Sequence, residues 1–261
     1  MDQSILGAVV MAGYVLISAF FWQQWFRPKA KLANPVLLAS PVLVLHATLI
    51  VSGLAYRNGL DLSITNLISL VTLLIATGLT IGHRTFNSLL LLPPVYLLAA
   101  AAQLPELVQT SHYVTHLGQH TGLAVHVSLA LAAYCILMVA ALMAVQVWVI
   151  DYRLKQHASL SGLPPLMVVD RQLEAILKLG FAILTASIMT GSIFLEGFFG
   201  QGQGHKAILT IIAWLLYAIM LVQKFRTGVS SRRMAILSII AAGVLTLAYF
   251  GSRFIKEVLL N

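Results

Sequence analysis

The chain has 261 residues, of which 59% are hydrophobic and only 9% charged, with a formal net charge of +8. A soluble domain carries about 25% charged residues, and a chain with a mean hydropathy of +0.92 could not cover its own surface in water, so lipid is the solvent for most of its side chains. The Lys and Arg residues lie in short clusters between apolar runs, with no basic face interleaved with aromatics, which excludes nucleic-acid binding. The single cysteine, Cys135, lies inside an apolar run and excludes an internal disulfide or thiolate cage.

The first apolar run covers residues 3–26. It lacks a basic n-region and a small-residue cleavage site, and reads as a retained helix rather than a signal peptide. The second run covers residues 35–56 and the third 62–81. The fourth, residues 88–104, is short and contains Pro93-Pro94, a pair that removes backbone donors and is expected to kink the helix near mid-membrane. A polar, histidine-rich stretch over 105–122 follows. The fifth run covers 123–152 and projects into the cytoplasm by about two turns, ahead of an inner loop over 154–170 with Pro164-Pro165. The sixth run covers 173–195, with Glu174 and Lys178 spaced for a helical ion pair. A Gly-rich loop over 196–204 leads to the seventh run, 207–223, and the eighth covers 234–255. The expected fold is an all-α polytopic bundle of about eight transmembrane helices, one transmembrane domain over 1–261 with no soluble domain.

One set of alternate loops holds Arg27, Lys29, Lys31, Arg84, Arg153, Lys155, Arg171, Lys224, Arg226, Arg232 and Arg233. The other holds only Arg57, Lys206, Arg253 and Lys256. The positive-inside rule places the first set in the cytoplasm, so both termini are expected outside.

Polar groups inside lipid mark helix packing or function. Thr65, Asn66, Ser69, Thr72, Thr77 and Thr80 of the third run, and Ala124, Ser128 and Ala132 of the fifth, read as stripes of close helix contact. His46, mid-way along the second run, and His126, about one turn inside the outer end of the fifth, each need a partner or a ligand at that depth. A neutral ring bonded to another helix and a ligand contact both fit the residue alone. His112, His116 and His120 repeat every four residues and, if helical, would share one face suited to a metal, although Gly118 and Gly122 weaken the helix. His205 with Lys206 lies at the mouth of the seventh run. No carboxylate lies deep in any run, which weighs against an ion-coupled transporter. There is no Ser/His/Asp order, nucleotide loop or paired acids, so an enzyme is the weakest reading.

Several segments together resemble the cytochrome c assembly family of haem-handling membrane proteins, of the CcsA, CcmC and HemX type. Gly122-Leu123-Ala124-Val125-His126-Val127-Ser128 with Ala133-Tyr134 is similar to that family's Trp-Leu-x-x-His-Val stretch and the Ser-Tyr beyond it. Residues 62–70, with Leu62-Ser63 and Asn66-Leu67, resemble its Leu-Ser-Asn-Leu-Tyr-Glu-Ser-Leu helix entry, and Ile212-Ala213-Trp214-Leu215-Leu216-Tyr217-Ala218-Ile219 its Ile-Thr-Trp-Leu-Ile-Tyr-Ala-Ile. Tyr249-Phe250-Gly251 is shared as well. The resemblance is strongest to the short YpjD-like bacterial inner-membrane branch, through Leu92-Pro93-Pro94-Val95-Tyr96, Asp151-Tyr152-Arg153, Pro164-Pro165-Leu166-Met167 and Tyr249-Phe250-Gly251-Ser252-Arg253, and covers essentially the whole chain.

The chain also departs from the family. Where better-known members end a Trp-rich loop in Trp-Asp-Pro-Lys-Glu, it has Gln203-Gly204-His205-Lys206-Ala207. The aromatic platform is reduced to Phe198 and Phe199, and Val222 and Leu260 stand where the family has two histidines. The resemblance implies an inner-membrane cytochrome c biogenesis-type protein that handles haem near the outer face. It implies His126 as the iron ligand and His46, His116 or His205 as further candidates. Phe198 and Phe199 would cover the porphyrin, and Lys206 with Arg57 would face the propionates. The implied partners are the bilayer, haem and other cytochrome assembly proteins. A scaffold that kept the fold but lost haem, and a small-solute or metal transporter, are the other readings.

Overall fold

The computed structural model describes residues 3–25, 34–56, 59–105, 114–115, 121–157, 163–194, 204–228 and 230–251. Arg57, His112, His116, His120, Phe198, Phe199 and Leu260 lie outside these residues. The chain forms two compact units, residues 1–116 and 117–261. Seven of the described helices are long and apolar enough to cross a membrane, and an eighth apolar stretch, Ser88–Ala101, is shorter.

Unit one contains α1 (Gln3–Trp25), α2 (Pro35–Leu54), α3 (Ile64–Ile81) and α4 (Leu92–Ala101), with α1 packing on α2 and α4, and α3 on α2 and α4. Asn34 starts α2: its Oδ1 accepts from the Val36 amide at 3.1 Å, and Pro35 takes the first helical position, where no amide is needed. Pro41 lies inside α2 and cannot donate to Leu37, whose carbonyl accepts the Ser40 hydroxyl at 3.2 Å. Ser63 precedes α3, with its amide held by Asp61 Oδ1 at 3.0 Å. The Asn66 side-chain amide donates to the carbonyls of Asp61 (3.0 Å) and Gly53 (3.3 Å), clasping the start of α3 to the end of α2.

One expectation is corrected here. Pro93 and Pro94 occupy the first turn of α4, which follows a 3-10 turn at Ser88–Leu90, so they open the helix instead of kinking its middle. A proline ring in the first turn displaces no hydrogen bond. The fold is all-α, and a few residues between the helices pair as strands. β1 (Ala55–Tyr56), β2 (Gly59–Asp61) and β3 (Val114–Thr115) form a small antiparallel sheet in the order β1-β2-β3. Val114 and Thr115 pair with Asp61 and Leu60.

Unit two contains α5 (Thr121–Lys155), α6 (Leu166–Phe194), α7 (Gly204–Thr227) and α8 (Ser231–Thr246), which continues into a π-helical turn, Leu247–Gly251. At 35 residues, α5 is about 52 Å long and exceeds the hydrocarbon thickness of about 30 Å. Helix α6 begins at Leu166, directly after Pro164-Pro165, so the expected inner loop ends sooner than its composition suggested. The reason lies in this first turn: Val169 is fully buried and Asp170 accepts from Lys224 of α7 at 2.9 Å. The expected Glu174–Lys178 pair forms at 2.6 Å.

The polar stripe of α3 is a packing face, as Thr65, Asn66, Ser69 and Thr80 are all buried. The stripe proposed on α5 is not. Ser128 is exposed, and the buried face runs through Ala133, Leu137, Ala140, Ala144 and Val147. The face that packs against α6 and α8 is apolar and mostly alanine, about two turns further along α5.

Helices α1 and α2 approach closely at Gly13. A Cβ placed on Gly13 would lie 2.7 Å and 3.3 Å from the two methyl groups of Val42. Valine cannot easily rotate away in a helix, so Gly13→Ala is expected to push the helices apart and cost about 1–3 kcal/mol. The shift in unfolding midpoint in mild detergent measures it, and an unchanged midpoint would show that the contact yields freely.

Candidate functional site

Burial separates the two intramembrane histidines. His46 of α2 is 0% exposed. Its Nδ1 lies 2.9 Å from the Tyr14 hydroxyl of α1, and its Nε2 lies 2.9 Å from Ser69 Oγ of α3 and 3.0 Å from Gln103 Nε2, just beyond α4. Gln103 also donates to the Ala99 carbonyl at 3.2 Å. One imidazole therefore ties together four segments of unit one, and both of its ring nitrogens are engaged. The Tyr14 ring also stacks on Tyr96, whose hydroxyl meets Thr80 Oγ1 at 2.7 Å. In this arrangement His46 presents no open nitrogen to a ligand.

His126 of α5 is half-buried, and only its Nδ1 is engaged, 2.8 Å from the Ser187 carbonyl of α6. A carbonyl can only accept, so Nδ1 carries the proton. In the neutral ring Nε2 then keeps its lone pair, with no partner among the described residues. Histidines that bind metals are held in this way, with the second ring N–H on a carbonyl or carboxylate that fixes tautomer and orientation. The donor set thus fits a metalloporphyrin iron through Nε2, with the Ser187 carbonyl behind it. Thr190 Oγ1 also donates to that carbonyl, at 3.0 Å.

The surroundings of His126 follow from helix direction. His126 lies about as far past the start of α5 as Ser187 lies before the end of α6, so the two helices run antiparallel. Trp214 Nε1 of α7 donates to Thr185 Oγ1 of α6 at 2.8 Å, and the Trp214 ring stacks on Phe181. Thr185 precedes the end of α6 by nearly the distance that Trp214 follows the start of α7, so these helices are antiparallel too. The start of α5, the end of α6 and the start of α7 therefore share one end of unit two. His205, exposed, and Lys206, half-buried, lie in the first turn of α7 at that end.

Phe194 closes the same end. A Cβ on Gly122 would fall 2.5 Å from the Phe194 ring, so glycine lets that ring pack on α5 one turn from His126. Phe194 is 54% exposed. The sequence reading missed Phe194 and the Ser187 carbonyl. Phe194 is one more apolar residue at a helix end, and a backbone acceptor has no sequence signature. No group of three or more His, Cys, Asp or Glu residues placed to hold a metal ion occurs among the described residues. The metal reading of His112, His116 and His120, and the roles of Phe198 and Phe199, fall outside them.

These helices define a polytopic membrane protein in which His126, half-buried and singly bonded, lies near the start of α5. The chain belongs to the cytochrome c assembly protein family, whose model matches residues 35–260. It is 34% identical over 236 residues to the inner membrane protein YpjD of Escherichia coli strain K12, covering 90% of this chain and 89% of that one. It is 30% identical over 143 residues to an uncharacterized 28.8 kDa protein of Azospirillum brasilense, about half of each chain. The cytochrome c biogenesis protein CcsA of a Synechococcus strain is 25% identical over 178 residues, 58% of this chain and 59% of CcsA. No solved structure matches. The chain is a multi-pass protein of the bacterial inner membrane with a cytochrome c biogenesis-type role.

Proposed function

We propose that this protein binds haem at the end of unit two where α5 starts, α6 ends and α7 starts, with His126 Nε2 as the iron ligand. The observation that carries the reading is the bond between His126 Nδ1 and the Ser187 carbonyl, which presents Nε2 as an oriented lone pair. Family membership supports haem as the metal complex. Haem bound here supplies an iron able to take an axial imidazole. The chain's own groups do the rest. Ser187 holds the imidazole tautomer, Lys206 brings positive charge to the end where propionates would lie, and Phe194 offers an apolar ring beside Gly122. Phe198 and Phe199, between α6 and α7 in sequence, would cover the porphyrin. His205, in the first turn of α7, is the candidate for a second axial position.

In this reading His46 is the polar anchor of unit one and not an iron ligand. The lopsided distribution of Lys and Arg puts the His126 end outside, with other membrane or cytochrome assembly proteins receiving or delivering haem there. The test is the absorbance of the full chain purified from haem-replete cells. A Soret band that depends on His126 supports the reading, and no Soret band, or one unchanged in His126→Ala, removes it.

A further inference from the structure

Unit two also encloses a cluster of phenols that the haem reading does not use. The Tyr134 ring of α5 stacks on Tyr249 of the π-helical turn, with centroids 5.0 Å apart, and meets Phe250 edge-on at 5.5 Å. The Tyr134 hydroxyl is 3.1 Å from Thr246 Oγ1 and is satisfied. Two other hydroxyls are not. Tyr217 of α7 is fully buried, and its hydroxyl oxygen and that of Tyr249 are both sealed away without a partner among the described residues. The π-helical turn that carries Tyr249 packs against α7, which carries Tyr217.

An unpaired hydroxyl sealed in an apolar interior costs about 1–3 kcal/mol, and phenylalanine would fill the same space without that cost. Two such groups on elements packed against each other call for a missing acceptor. The backbone points the same way. Helix α8 changes its winding at Leu247–Gly251, the turn that carries Tyr249, and single π turns are frequent at functional sites. Each phenol can donate one proton, and an oxygen with two lone pairs accepts two. We infer that Tyr217 and Tyr249 together hold a hydrogen-bond-accepting oxygen inside unit two. It belongs either to an internal water or to the carbonyl or carboxylate of a small lipophilic ligand.

The experiment is a double-mutant cycle on the full chain in mild detergent, with Tyr217→Phe, Tyr249→Phe and the double variant. Each substitution removes one oxygen atom and leaves the ring packing intact. An occupied site predicts that each single variant melts lower, by about 2–4 °C, and that the double variant loses clearly less than the sum. Once the first donor is gone, the second has less to hold. Midpoints that rise or stay unchanged, or losses that add, would overturn the inference. So would an experimental density map with nothing within about 3.2 Å of either hydroxyl. Solvent extraction and mass spectrometry then separate the sources. A stoichiometric molecule recovered from the wild type and absent from the double variant identifies a ligand, and coupling without one identifies water. Neither result depends on whether His126 binds haem.

Discussion

Full-length protein carrying His126→Ala and purified from haem-replete cells is expected to lose the Soret band of the wild-type chain. Loss of a group that merely orients a metal ligand costs 10–100-fold in affinity, so loss of the ligand itself is expected to cost more than about 100-fold. The fold has little stake in this side chain, because His126 is half-buried and makes one hydrogen bond to a backbone carbonyl that Thr190 also serves. The unfolding midpoint should therefore move little while the spectrum changes fully. His126→Gly supplied with free imidazole is expected to regain the band, since the missing ring can then enter from solution. A band that survives in both variants would move the ligand elsewhere.

The opposite pattern is expected at His46. His46→Leu keeps an apolar volume but strands the Tyr14 hydroxyl and removes one bond each from Ser69 Oγ and the Gln103 amide, which still meet each other at 3.2 Å, all enclosed in unit one. Hydrogen bonds between membrane helices average about 0.6 kcal/mol each, and a buried orphaned group costs about 1–3 kcal/mol. The combined loss is expected to be about 2–4 kcal/mol, because the three partners relax together and the terms do not simply add. Denaturant titration in detergent measures it. Tyr14→Phe removes only one of these bonds and is expected to cost about 1 kcal/mol. Equal stability of His46→Leu and wild type would mean that the network contributes nothing to the fold.

The two histidines show how far the sequence could be read. Each is an imidazole in an apolar run, and nothing within several residues distinguishes them. Their partners do, and these lie far along the chain. Ser69 and Gln103 are 23 and 57 residues from His46, and Ser187 is 61 from His126. The long apolar runs were legible because bilayer thickness imposes length and composition locally. The family was legible because its segments keep their order. Pro93-Pro94 was placed in the right helix but given the wrong role, since the same pair opens a helix or kinks it depending on where the first turn begins. The spacing of His112, His116 and His120 suggests a helical face, and these residues lie outside the described ones. Phe198 and Phe199 were the aromatic residues expected at the haem site. Phe194, which packs on Gly122, was hidden by its ordinary place at the end of an apolar helix.

The proposed site stands on a single nitrogen, and a magnetic measurement can address that nitrogen alone. Full-length protein labelled with 15N-histidine and loaded with ferric haem can be studied by pulsed electron paramagnetic resonance, with His126→Ala and His46→Gln as the comparison pair. The expected spectrum carries an axial 15N coupling that persists in His46→Gln and vanishes in His126→Ala. An axial coupling that survives the loss of His126, or disappears with His46 instead, would contradict the assignment.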